Sequence, residues 1–196
     1  MVALRGANGA ITHAMIGRTR SILVFEMAGA VFMVAVGSAL HFLFDLAGGW
    51  PPLALIAAVN ESIWEHLKLA FWPGFLWAGF APPPAGMRRR GLLAVKGPSL
   101  LVTAVLIVTV FTTYTTILGR NLLALDIGTF VLAILIGQAL SVALLAGGVF
   151  RHSALVRAGL WLLMLQILAY SLFTFLPPDH WLFIEASSGV RGISAP

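Results

Sequence analysis

Long apolar stretches alternate with short polar segments along this chain. A helix that crosses a bilayer needs about 20 mostly apolar residues. Five stretches reach about this length, and Gly, Pro and basic residues separate most of them: about 21–46, 62–80, 99–118, 122–146 and 158–176. The pattern predicts an all-α, polytopic membrane protein, a bundle of five transmembrane helices that forms one domain over residues 1–196, with residues 177–196 as an outer tail.

The composition agrees with a membrane protein and excludes two other classes. Apolar residues make up 60% of the chain and charged residues 10%, whereas soluble domains carry about 25% charged residues. A water-soluble fold or a disordered chain would need more polar side chains than are present. The chain contains no cysteine, which excludes disulfides, thiolate-bound zinc and a thiol nucleophile.

Basic residues in the short loops predict the orientation, because cytoplasmic loops carry an excess of Lys and Arg. Nine of the 12 basic residues fall before the first helix, between the second and third, and between the fourth and fifth: Arg5, Arg18, Arg20, Arg88, Arg89, Arg90, Lys96, Arg151 and Arg157. We expect a multi-pass protein of the bacterial inner (plasma) membrane with a cytoplasmic N-terminus and an outer C-terminus. The net charge of +5 then reflects topology and contact with anionic lipid rather than nucleic-acid binding.

Most other ionisable side chains gather at the outer ends of the helices. Charges at membrane depth are costly and usually face the interior of a helix bundle. Every fourth residue from Gly29 to Asp45 lies on one face of the first helix, and the small residues of that row allow a neighbouring helix to approach closely. His41 and Asp45 are therefore expected to face a neighbouring helix. Asp126, near the start of the fourth helix, is expected to point inward as well.

The densest polar motif stands at the start of the second helix and reads Asn60-Glu61-Ser62-Ile63-Trp64-Glu65-His66-Leu67-Lys68. Ser62 and Glu65 fit a capping box, and Glu65 can pair with Lys68 at a spacing of i,i+3. This structural interpretation does not account for His66. The short connection between the first two helices places His66 at the depth of His41.

Imidazole and carboxylate groups at one depth support the hypothesis of a metal site, since Zn²⁺ and similar ions bind His nitrogen and carboxylate oxygen. The expected ligands of a divalent metal such as zinc are His41, Asp45, Glu61, Glu65 and His66. A metal-bound water could hydrolyse a lipid ester, amide or phosphoester. Glu65 and His66 are the expected catalytic residues, with Glu65 as the general base. The expected substrate-binding residues are Lys68, Arg120, Asp126 and Tyr114.

Two non-enzymatic functions stay open. Inward acids together with Lys68 and Arg120 could bind a polar ligand or relay protons in a small transporter, although Glu26 is the sole candidate for a continued path through the inner half of the bundle. Alternatively, the buried charges form a helix-packing network in a scaffold that works through a partner. A bundle of five short helices is also compatible with a homo-oligomer. The segment after Pro177 is expected to be an interfacial anchor or a lid over the polar cluster.

Several strings of residues carry a family resemblance. They are His41-Phe42-Leu43-Phe44-Asp45, the Asn-Glu-Ser-x-Trp-Glu-His-Leu-Lys string from Asn60 to Lys68, Tyr114-Thr115, Gly119-Arg120-Asn121, Leu125-Asp126-Ile127, Gly137-Gln138 and Phe173-Thr174-Phe175-Leu176-Pro177-Pro178. Over about residues 22–192 the chain resembles a family of small five-helix prokaryotic integral membrane proteins of unknown function. The tail departs from that family, whose sequences read more like Asp-Pro followed by Gly-x-Tyr-Gly. The resemblance implies five helices and names no reaction.

Overall fold

The computed structural model describes residues 2–193, with side chains from Met15 onward, and it is all-α as predicted. Five α-helices follow one another along the chain: α1 (Val2–Leu46), α2 (Ile63–Phe80), α3 (Arg89–Leu118), α4 (Leu123–Ala146) and α5 (Ser153–Phe175). Three short 3-10 helices lie between or after them: Pro51–Leu55, Val149–Arg151 and Trp181–Phe183. A single β-bridge joins Ile184 to Arg191 in the tail.

Four of the helices in the described part of the chain are long and apolar enough to cross a membrane: Met15–Leu46 within α1, then α3, α4 and α5. The predicted fifth span, α2, is helical over 18 residues but lacks an equally apolar stretch. The reason is that Glu65, His66 and Lys68 lie in its first two turns. Crossing by α2 therefore stays a prediction.

The connections between helices are short, so successive helices run in opposite directions. We call the end of the bundle where α1 finishes and α2 begins the histidine end, after His41 and His66. The opposite end, where α2 finishes and α3 begins, is the arginine end, after Arg88–Arg90. α3 packs against α2, α4 and α5, while α1 packs against α2 and α4. The main core lies between them and includes Met33, Phe71, Leu100, Ile134, Leu163 and Tyr170.

Two predicted boundaries are wrong. The first helix begins at Val2 rather than near residue 21, so Arg5, Arg18 and Arg20 lie within α1 instead of before it. The third helix begins at Arg89 rather than near residue 99, so Lys96 is not in a loop but inside α3, where it is 1% exposed. The pair Gly97-Pro98 resembles a helix boundary in the sequence. Pro98 nevertheless lies within α3. Its ring removes one backbone N–H donor, but the helix continues past it.

Glycines mark the places where helices cross most closely. A Cβ on Gly37 of α1 would lie 2.5 Å from the backbone oxygen of Leu69 in α2, which confirms that this row of small residues admits a neighbouring helix. A Cβ on Gly137 of α4 would collide with Thr103 of α3. Gly97 of α3 and Gly159 of α5 face each other in the same way. These crossings set the distances between the helices that carry the polar groups.

Candidate functional site

Three potential metal ligands meet at the histidine end: His41 near the end of α1, Glu61 just before α2, and His66 in the first turn of α2. The Nε2 atom of His66 lies 3.3 Å from Oε2 of Glu61, and Nε2 of His41 lies 3.7 Å from Oε1 of the same carboxylate. One ligand atom from each residue lies within 4.8 Å of the other two. A tetrahedral zinc ion with bonds of about 2.0–2.1 Å separates its ligand atoms by about 3.3 Å. The cluster therefore has nearly the spacing of a metal site.

The turn before α2 presents Glu61 to the two histidines. Asn60 accepts a hydrogen bond from the backbone of Ser62 through Oδ1 (2.9 Å) and donates one through Nδ2 to the backbone oxygen of Gly192 (2.8 Å). Because α2 starts only at Ile63, Glu61 is not bound by the geometry of the helix and turns toward α1. The side chain of Glu61 is 61% exposed, so the cluster opens to solvent at the histidine end.

The hydrogen bonding of His66 fixes its tautomer. Nδ1 lies 2.8 Å from the backbone oxygen of Ser62, and a carbonyl oxygen only accepts, so Nδ1 carries a proton and donates it. In the neutral ring Nε2 then has a lone pair that faces the Glu61 carboxylate, an arrangement of two acceptors. A proton or a metal ion on Nε2 resolves this conflict. Metal-bound histidines commonly donate their other ring N–H to a backbone carbonyl in this manner.

The electrostatics of the cluster favour the charged form of Glu61. The hydrogen bond from His66 is the main reason that the pKa of Glu61 is lowered below its ordinary value of 4.5, and the positive charges that His66 and His41 can carry add to it. Partial burial acts in the opposite direction. Glu61 is therefore a carboxylate at neutral pH, as a metal ligand must be.

Acidification of the metal-free protein is expected to remove the stabilisation that Glu61 contributes. Since the pKa of Glu61 is lower in the folded protein than in the unfolded chain, its contribution is complete above the unfolded value and is lost as the pH falls through the folded value. Because Glu61 is largely exposed, its pairing with His41 and His66 adds less than about 1 kcal/mol to the free energy of unfolding. With a chelator present, the difference in Tm between the parent protein and Glu61→Gln should shrink over the pH range below the ordinary Glu value of 4.5. A difference that stays constant over that range would contradict the pairing with His41 and His66.

The structure places Glu65 and Lys68 away from this cluster, in a buried ion pair. Nζ of Lys68 lies 2.6 Å from Oε2 of Glu65 and donates hydrogen bonds to the backbone oxygen of Ala54 (2.7 Å) and to Thr174 of α5 (2.9 Å). Glu65 also accepts from the backbone N–H of Val59 at 3.1 Å. The capping box does not form, because the side chain of Ser62 caps no backbone N–H and the N–H of Ser62 donates to Asn60. Both charged side chains are at most 2% exposed.

Asp126 lies at the histidine end beside the three ligands without joining them. Its carboxylate accepts hydrogen bonds from the hydroxyl of Tyr114 at the end of α3 and, at 3.3 Å, from the amide of Asn121. Its charge reaches His66 through space. Asp126 and Tyr114, both predicted to bind substrate, are thus paired with each other at the histidine end.

Two other predicted site residues stand apart from it. Asp45 and Arg120 are exposed, and neither side chain forms a hydrogen bond or ion pair with another residue of the described chain. Asp45 follows His41 by one turn on α1, but the carboxylate that meets His41 belongs to Glu61.

A second buried polar cluster, which the sequence analysis missed, lies toward the arginine end. Nζ of Lys96 (α3) lies 2.6 Å from Oε2 of Glu26 (α1) and donates to Gln138 (α4) at 2.7 Å. Ser141 of α4 donates to the other oxygen of Glu26 at 2.7 Å. In this half of the bundle, the sequence showed Glu26 as the sole candidate for a continued path. The structure shows that Glu26 instead forms an ion pair with Lys96. A single Lys among apolar residues, unlike the Arg88–Arg90 run, is the signal that could have identified it.

The tail folds back onto the histidine end. Phe183 is buried against Trp64, with ring centroids 4.7 Å apart, and Gly192 accepts the hydrogen bond from Asn60. Arg191 pairs with Asp179 at 2.6 Å. The sequence left two interpretations of this segment open, an interfacial anchor and a lid over the polar cluster. These contacts agree with a segment that covers the start of α2.

Comparison with curated proteins and with solved structures finds no match to this chain. A model described as a family of unknown function, DUF6512, matches residues 18–193. The resemblance to a family of unknown function is confirmed to that extent, while the prokaryotic origin and the signature string stay predictions. Because the match spans nearly all of the sequence, the chain belongs to the DUF6512 family.

Proposed function

We propose that the protein is a metal-dependent hydrolase that acts on a membrane lipid at the histidine end. The observation that carries this proposal is the cluster of His41, Glu61 and His66, whose ligand atoms lie within 4.8 Å of one another. Three protein ligands leave the fourth position of a zinc-like ion to water, which is the arrangement of catalytic rather than structural zinc sites. The metal would supply a hydroxide near neutral pH and polarise the scissile carbonyl or phosphoryl oxygen.

We assign the general base to Asp126 rather than to Glu65. Both oxygens of Glu65 are engaged, one by Lys68 and the backbone of Val59, the other by Thr174, so this carboxylate is not available to accept a proton. Asp126 is partly exposed at the same end of the bundle, its charge influences His66, and Tyr114 donates a hydrogen bond to it. A base at this place would take the proton of the attacking water.

A lipid is the substrate class that the location favours. The cluster lies at the ends of helices apolar enough to span a membrane, where ester, amide and phosphoester groups of lipids are found. We further propose that the histidine end faces outward in a bacterial inner membrane, with a cytoplasmic N-terminus. Arg88–Arg90 would then contact anionic lipid on the cytoplasmic side.

Metal binding by purified variants tests this function. The parent protein in detergent, stripped with chelator and dialysed against Zn²⁺, should retain about one ion per chain. His66→Ala and Glu61→Gln should lower zinc affinity at least tenfold. His152→Ala, which removes an exposed histidine at the arginine end, is the matched control and should bind like the parent.

The catalytic step needs a separate assay. Zinc-loaded protein in phospholipid vesicles should release fatty acid or headgroup, and Asp126→Asn should slow release while zinc stays bound. If His66→Ala and Glu61→Gln both bind zinc as tightly as the parent protein, the proposed metal site is wrong. Intact zinc binding without any lipid product would overturn the hydrolase assignment alone.

A scaffold is the second candidate, and one observation favours it. The buried pair Glu26–Lys96 joins α1 to α3, and the buried pair Glu65–Lys68 within α2 is hydrogen-bonded to Thr174 of α5, as expected of charges that specify packing. On this alternative, loss of the histidine cluster would leave the metal content of the protein unchanged.

A further inference from the structure

The described part of the tail, residues 177–193, contacts both the start of α2 and the connection that leads into it. Phe183 packs on Trp64 in the first turn of α2, with ring centroids 4.7 Å apart. Ile193 packs against the apolar cluster around Ala54, which lies in the connection between α1 and α2. The tail therefore spans the segment in which the metal ligand from this connection is found.

Asn60 links the tail to the turn that carries this ligand, Glu61. Its Nδ2 donates to the backbone oxygen of Gly192 at 2.8 Å, and its Oδ1 accepts from the backbone N–H of Ser62 at 2.9 Å. Asn60 and Ser62 are the two neighbours of Glu61 in the chain, so these bonds hold the backbone on both sides of the carboxylate. Because α2 begins only at Ile63, the geometry of the helix does not hold it there.

Gly192 is packed closely at the place from which it reaches Asn60. It is buried and has a φ of +60°, a left-handed conformation that glycine adopts without strain. A Cβ on Gly192 would lie 2.9 Å from the backbone oxygen of Thr174, near the end of α5, and 3.1 Å from Cγ of Pro177. A larger residue would therefore push this part of the tail away from α5 and disturb its bond with Asn60.

We propose that the seated tail positions Glu61 for metal binding, with Asn60 as the positioning residue. The two bonds of Asn60 fix the turn in which the carboxylate faces His66 at 3.3 Å. Without the tail the turn is freer, and ordering it again costs part of the binding free energy of the metal. This role rests on the proposed metal-dependent function and adds its regulation, because metal binding and tail seating then favour each other reciprocally.

Zinc titration of the purified, detergent-solubilised protein tests the proposal. Gly192→Ala should lower zinc affinity about 10–100-fold, the range for loss of groups that orient metal ligands. Asn60→Ala should have a similar effect while it leaves the backbone of the tail unchanged. Gly86→Ala is the matched control and should bind like the parent. Gly86 also has a positive φ, of +74°, but it lies at the arginine end with open space around an added Cβ.

A double variant separates the positioning of Glu61 from a general structural role. In a Glu61→Gln background, Gly192→Ala should change zinc affinity by less than about twofold, because the ligand that the tail positions is already lost. Elution as a monodisperse peak establishes that each variant is folded.

Two results would overturn the role of the tail alone, while tight zinc binding by the parent leaves the metal site intact. One is that Gly192→Ala and Asn60→Ala both bind zinc like the parent. The other is that Gly192→Ala lowers affinity equally with and without Glu61, which would show that the tail does not act through this carboxylate. A parent protein that binds no zinc would overturn both this role and the proposed function.

Discussion

Replacing Lys96 with Met is expected to lower the free energy of unfolding by about 3–5 kcal/mol, the cost of leaving one member of a buried ion pair without its partner. Glu26 is 0% exposed and faces Lys96 at 2.6 Å. Without the ammonium group, Glu26 keeps only the hydrogen bond from Ser141 on its carboxylate. The oxygen of Gln138 loses its donor in the same substitution. Unfolding by SDS titration in mixed micelles would measure the loss.

Two further variants separate charge from packing. Adding Glu26→Gln to Lys96→Met removes the unpaired carboxylate and should recover at least half of the lost stability, because no buried charge is left. Arg157→Met, at an exposed position of α5, removes a basic residue without a described partner and should change stability by less than about 0.5 kcal/mol. Equal effects of Lys96→Met and Arg157→Met would show that the ion pair between Glu26 and Lys96 does not stabilise the fold.

The variant Gly159→Ala is expected to destabilise the protein by about 1–3 kcal/mol, because the added methyl group overfills a close helix crossing. Its Cβ would collide with the backbone oxygen of Ala94 and lie 2.7 Å from the ring of Phe150. A backbone oxygen cannot move aside as a flexible side chain can, so α3 and α5 would have to separate.

Gly128→Ala is the matched control for that crossing. Gly128 lies in α4, and no other group lies within 4 Å of the place that an added methyl carbon would take. Replacing a helical Gly with Ala there should stabilise by roughly 0.5–1 kcal/mol. SDS titration of both variants should therefore give changes of opposite sign. If Gly159→Ala were as stable as Gly128→Ala, that result would show that α3 and α5 do not approach closely at Gly159.

Periodicity and apolar length predicted the helices well because the bilayer imposes the same requirement on each span. The error at α3 has a local cause: Gly97-Pro98 and the charge of Lys96 together resemble a loop. The sequence pattern does not show which residue pairs with Lys96. Lys96 is buried inside a helix because Glu26, which is 70 residues away in the chain, neutralises it. A pairing across that separation leaves no periodic pattern.

The histidine end shows a similar division between what the sequence predicts and what it does not. The sequence predicted Glu61 and Glu65 as ligands of one metal ion, but α2 begins only at Ile63, so the helix does not hold Glu61 beside Glu65. Glu61 turns toward His41 and His66, while Glu65 and Lys68 satisfy each other. The residue types at the histidine end were predictable from the sequence. Which of them form the metal cluster and which form the buried ion pair depends on where α2 begins.

X-ray absorption at the zinc edge of the zinc-loaded protein tests the metal centre most directly. We predict nitrogen and oxygen neighbours at about 2.0–2.1 Å, with the multiple-scattering pattern of two imidazoles that falls to one imidazole in His41→Ala or His66→Ala. A spectrum without imidazole scattering, or one unchanged in both variants, would contradict it.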